Sequence, residues 1–150
     1  MTRSFIFVLF TLLSCFAEEP EFTHVVDAST FTLNTPEGWI LSEGTGYDTY
    51  VGEISGPLGT IHFDQGLMSF GALETVGREG STVYRISILV DGHPAIVHKA
   101  TINDNNTRRT VITLYIDAGD QIHRNRLYVF DPGPVSEGVL VSMMKTHRFK

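Results

Sequence analysis

The residues best spaced for chemistry lie between Tyr47 and Asp64. His62 and Asp64 sit two apart in an alternating Thr60–Asp64 segment. On a strand, residues two apart leave the same face. Asp48 and Glu53 fall in the preceding segment, on what reads as the neighbouring strand. Together the four could offer a mixed nitrogen and oxygen set to zinc or a similar ion, the basis for a metal- or small-ligand-dependent enzyme. The competing reading is the polar outer face of a half-exposed sheet. Trp39, Tyr47 and Tyr50 could form an aromatic ligand platform, or serve as core and rim packing. His93 and His98 are five apart on one strand and leave opposite faces, so they do not make a joint site. His123 stands alone.

Other chemistries lack their motifs. No Gly-x-Ser-x-Gly elbow, Gly-x-Gly-x-x-Gly loop or Walker loop occurs. No catalytic residue and no cofactor is assigned from the sequence. The formal net charge of -6 argues against a nucleic-acid surface, which needs clustered Lys and Arg. Arg108-Arg109 and Arg124-x-Arg126 cluster and read as solvated strand faces.

The elements that would position these groups follow from patterning over 150 residues, a length suited to one domain. Residues 1–17 read as a leader, with Arg3, an apolar run from Phe5 to Leu13, and small residues after it. Leu12-Leu13-Ser14-Cys15 resembles a lipobox, which would make Cys15 the lipidated residue; cleavage after Ala17 is the alternative. The expected address is therefore the cell envelope as a lipoprotein, or the periplasm or exterior. The only membrane contact expected is the N-terminal lipid. Cys15 is the sole cysteine, so no disulfide braces the remainder.

Residues 18–29 read as a tether with a first short strand, and 30–150 as one sheet domain. Phe22–Val26, Phe31–Asn34, Trp39–Leu41, Tyr50–Ser55 and Thr60–Asp64 are strand-like, and Ser42–Gly46 reads as a loop. Gly52 inside a strand suggests a bulge or a closely packed group. Phe70–Gly80 shows no clear pattern. Ser81–Val90 alternates, and Asp91-Gly92 is a type I′ turn signal that sets Ile88 opposite Ala95, Ile86 opposite Val97 and Arg85 opposite His98. Arg108–Ile116 and His123–Phe130 pair around Asp117–Asp120, with Ile112 placed opposite Leu127 to keep Arg124 and Arg126 out of the core. Val135, Val139, Leu140, Met143 and Met144 recur at helical spacing behind Pro134, with Glu137 in the first turn and Lys145 in the last. The fold class is α+β: an antiparallel sheet of about seven to nine short strands in hairpins, with one C-terminal amphipathic helix packed on it.

Thr35-Pro36-Glu37-Gly38-Trp39, after a Phe-x-Leu strand, resembles the first hairpin of PsbP/Mog1-like exported domains. Tyr47–Gly52 and Ile61-His62-Phe63-Asp64-x-Gly66 resemble the Asp-Ser-x-Val-Gly and Phe-Asp-Tyr-Gly strands of an uncharacterised family of exported Bacteroidota proteins. Here Thr49 replaces the Ser and Gln65 the Tyr. Met144–Lys150 is similar to that family's closing helix and strand. The resemblance implies a sheet domain with a packed helix and carries no activity with it. The overall expectation is an exported, lipid-anchored binding or accessory module. The alternative is an enzyme centred on Asp48, Glu53, His62 and Asp64.

Overall fold

The computed structural model describes residues 21–77, 80–120 and 122–150. The leader and Cys15 lie outside the described residues. Among those described there are ten strands and one helix. A three-stranded antiparallel sheet is built from β1 (His24–Asp27), β2 (Phe31–Thr35) and β10 (Arg148–Phe149), in the order β1-β2-β10. A seven-stranded antiparallel sheet holds β3 (Ile40–Thr45), β4 (Tyr50–Gly56), β5 (Gly59–Gln65), β6 (Ser81–Val90), β7 (His93–Asp104), β8 (Thr107–Asp117) and β9 (Arg124–Phe130). Its order is β3-β4-β5-β9-β8-β7-β6. Helix α1 (Pro134–Met144) precedes β10 and packs on β2 and β8. The expected α+β class holds, with more strands than expected and two sheets rather than one.

Alternation explains the core. On β8, Ile112, Leu114 and Ile116 are fully buried, as are Leu127 and Val129 on β9. They meet Phe31 and Leu33 from the small sheet and Leu140, Met143 and Met144 from α1. Every second residue of each strand must then leave the other face. The hairpin turns follow local chemistry. Asp91 and Gly92 have φ of 52° and 79°, the positive pair of a type I′ turn, and the expected Ile88, Ile86 and Arg85 pairings are all present. Asn105 and Asn106, at 47° and 64°, turn β7 into β8.

Four expectations are corrected. Ser42–Gly46 is not a loop, because β3 runs to Thr45 with each of its residues paired to β4. Leu127 faces Leu114, not Ile112, which faces Val129. The cause is a longer reversal: the Asp120 carboxylate accepts the backbone N–H groups of Ile122 and His123, and Ala118 N–H donates to the His123 carbonyl. The shift is two residues, so each side chain keeps its face. Val135 is 87% exposed and points away from the sheet, because the buried stripe of α1 is Leu140, Met143 and Met144. Lys145 stands at the helix cap rather than within its last turn.

Gly52 is a close-packing glycine. A Cβ there would lie 2.4 Å from the Ser42 carbonyl oxygen and 2.5 Å from the Phe63 ring.

Candidate ligand-binding groove

The antiparallel registers line up side chains from different strands on the face of the seven-stranded sheet away from α1. One row runs Glu53, His62, Tyr128, Thr113, His98, Arg85. Beside it, Asp64, Arg126, Tyr115 and Ile96 form a second row, and Phe130, Val111 and Ala100 a third. The segment Ser69–Gly77 crosses part of this face like a strap. Arg85 donates to the Leu73 carbonyl at 3.0 Å, Ser69 donates to the Arg124 carbonyl at 3.2 Å, and the Phe70 ring meets Tyr115 edge-on at 5.3 Å. Gly77 lies against the His98 ring, where a Cβ would come within 3.0 Å.

Between strap and sheet is a cavity of about 480 Å³. Its lining includes Phe70, His98, Val111, Thr113, Tyr128 and Phe130. His98 is buried, and its Nε2 lies 3.1 Å from the Thr82 hydroxyl. Burial, and next the nearby Arg85 charge, hold His98 below its ordinary pKa, so it is neutral at pH 7. Burial raises the Tyr128 hydroxyl above its ordinary value. Among the described lining residues Arg126 alone carries a permanent charge, and its guanidinium donates to Asp64 at 2.7 Å. Of the other guanidinium groups on or beside the face, Arg109 and Arg124 are each matched to a carboxylate. Arg109 lies over the Phe130 ring at 4.3 Å and bonds Asp131 at 2.7 Å; Arg124 approaches Asp117 at 3.3 Å.

The residues singled out from the sequence are only partly brought together. Glu53 and His62 meet, with Oε1 and Nδ1 3.2 Å apart. Asp64 leaves the same face but is committed to Arg126. Asp48 lies in the loop between β3 and β4 and lines a different depression with Tyr47, Leu67 and Ile122. A structural or catalytic metal needs three or four ligands at fixed distances. Among the described residues no three His, Cys, Asp or Glu side chains group in a way that could hold an ion. The four-residue metal centre is therefore corrected to one Glu–His contact, one Asp–Arg pair and an isolated Asp48.

The aromatic platform is not assembled either. Trp39 is 4% exposed and belongs to the core, its ring against Gly56, where a Cβ would lie 2.4 Å away. Tyr47 is 100% exposed. The Tyr50 hydroxyl donates to Glu43, which also accepts the Ser29 backbone N–H at 2.8 Å. Tyr50 thus ties the segment after β1 to the large sheet.

Sequence reasoning missed Tyr128, Phe130, Thr113 and the strap. A signal for the first two was present in β9. Arg124, Arg126, Tyr128 and Phe130 alternate with the inward Asn125, Leu127 and Val129, so the outward set is aromatic as well as charged. For Phe70–Gly77 no periodicity announces a cover.

No family model matches the chain, and no curated protein matches it. Among solved structures, the crystal structure of PA94, a protein of unknown function from Pseudomonas aeruginosa, is similar at a TM-score of 0.45 and 15% identity, covering 82% of this chain and 94% of that chain.

Proposed function

We propose that this chain is an exported, envelope-anchored, non-catalytic module that binds a ligand in the groove beneath the Ser69–Gly77 strap. The leader-like residues 1–17 and the lipobox-like Leu12–Cys15 support export and anchoring. The groove carries the binding reading. It is concave and partly covered, and it mixes aromatic walls with a few hydrogen-bonding groups, the usual make-up of a small-molecule site. The non-catalytic reading rests on how its polar groups are engaged. Arg126 is held by Asp64, and neutral His98 is engaged with Thr82. General acid–base catalysis wants a group poised near the working pH and within reach of the reacting atom.

Two measurements test the proposal. A palmitate analogue fed to producing cells should label the wild type and not Cys15→Ala; equal labelling of both, or of neither, refutes the anchor. Native mass spectrometry of protein isolated from its own envelope should show a small-molecule adduct that Val111→Trp loses while keeping its melting temperature. An adduct retained in that variant refutes the groove. Turnover abolished by His62→Ala would restore the enzymatic reading.

A further inference from the structure

We infer that the groove takes an uncharged, flat, largely apolar molecule carrying one or two hydrogen-bonding groups. This deepens the binding reading above and depends on it. The argument is one of charge and layout. Among the described residues four guanidinium groups lie on or beside the groove face, and three have a carboxylate: Arg126 with Asp64, Arg124 with Asp117, and Arg109 with Asp131; the fourth, Arg85, donates to the Leu73 carbonyl and does not line the cavity. An anionic ligand would have to compete with those carboxylates at close range. A cationic one would have to compete with the guanidinium groups. Among the described residues that line the cavity no charge is left without a counter-charge, so complementarity favours a neutral occupant.

Polarity is graded along the strands. At one end Ile102, Val111, Ala100 and Phe130 are apolar. At the centre Thr113, His98 and Tyr128 can donate or accept hydrogen bonds. From Ala100 to Ile96 the strand advances roughly 13 Å, which sets the scale of the occupant. Flatness follows from the walls. Phe70 stands edge-on to Tyr115 on the strap side, while Tyr128 has His62 stacked at 5.2 Å and the Arg126 guanidinium at 5.0 Å. Aromatic rings thus wall the free space between strap and sheet, and a flat occupant packs best against them.

Two probes sharing one skeleton isolate the charge. N-phenyl-1-naphthylamine is neutral and has a single N–H; 8-anilinonaphthalene-1-sulfonate is the same skeleton with a sulfonate. Fluorescence titration of the purified full chain in detergent-free buffer should show one saturable site for the neutral probe, with at least ten-fold weaker binding of the sulfonate. Val111→Trp, which fills the slot, and Ile102→Glu, which puts a charge at its apolar end, should each weaken the neutral probe at least ten-fold. Circular dichroism should show both still folded. Tighter or equal binding of the sulfonate, still lost in Val111→Trp, overturns the neutral class and leaves the groove standing. Binding of neither probe, or neutral-probe binding unchanged in both variants, overturns the groove itself.

Discussion

The two faces of the seven-stranded sheet are built from the same strands and do opposite things. Toward α1, Ile112, Leu114 and Ile116 are fully buried against a second sheet and a helix. On the other side, Val111, Thr113 and Tyr115 meet a strap and a cavity. A period-2 chain delivers both surfaces at once, so a single strand can carry fold and recognition in alternate residues. The difference teaches where to expect energy. The helix side should hold the stability, and the strap side should be free to vary with the ligand.

The sharpest way to break that division is acid. His147 is buried, stacked on Phe31 at 4.9 Å, with Nε2 2.8 Å from the Asn125 amide. Burial is the main cause that lowers its pKa from 6.5 to about 3. Between those values the unfolded chain holds a proton that the folded one refuses, so stability is complete above pH 6.5 and falls as pH drops toward 3. From pH 6.5 to 4.5 the loss is roughly 3 kcal/mol from this group alone. His98, shifted in the same direction, adds to the slope. Urea melts across that range should be distinctly steeper with pH for the wild type than for His147→Gln. Equal slopes would show that His147 is not the group that acid attacks.

Truncation should separate the faces next. Leu114→Ala removes a fully buried side chain and should cost about 2–5 kcal/mol by denaturant titration. Val111→Ala, three positions earlier on the same strand and half-buried, should cost about 1 kcal/mol or less. Comparable costs would mean the strap side is a second core.

Glycines give a finer contrast. Gly52 faces the core, and an added Cβ meets the Ser42 carbonyl and the Phe63 ring; Gly44 faces outward, where an added Cβ would lie an ordinary 3.7 Å from the Val51 side chain. Gly52→Ala should lose about 1–3 kcal/mol, and Gly44→Ala should change stability by only a few tenths in either direction. Thermal melts of the pair distinguish close packing from general intolerance of side chains in these strands.

What was legible in the sequence depended on how local the cause was. Asp91-Gly92 announces its own positive φ values, and the β6–β7 register followed from that pair alone. The β8–β9 reversal was misjudged because its length is set by the Asp120 carboxylate reaching forward to His123, a side-chain capture that composition does not reveal. The helix was legible from Leu140, Met143 and Met144, whereas Val135 matches the same spacing at an end that overhangs the sheet. For the site, His62 and Asp64 were rightly placed on one face. Their partners Tyr128 and Arg126 come from a strand more than sixty residues later, brought alongside only by the sheet order. Burial of His98 was invisible for the same reason: the strap that covers it has no periodic pattern of its own.

The smallest expected effect is the most discriminating for the outer face. The Asp64–Arg126 pair spans two neighbouring strands beside the groove, with its side chains part-exposed. A pair in such a setting contributes about 0–1 kcal/mol and is weakened by salt, because water and ions screen it. Asp64→Asn should therefore leave the melting midpoint almost unchanged. Its consequence should appear in selectivity: an unmatched Arg126 makes the slot attractive to anions, so binding of the sulfonate probe should rise relative to its neutral parent. A loss of several kcal/mol in Asp64→Asn would show instead that the pair holds the strands together. Unchanged selectivity would separate Arg126 from the ligand altogether, leaving the apolar end of the groove as the part that binds.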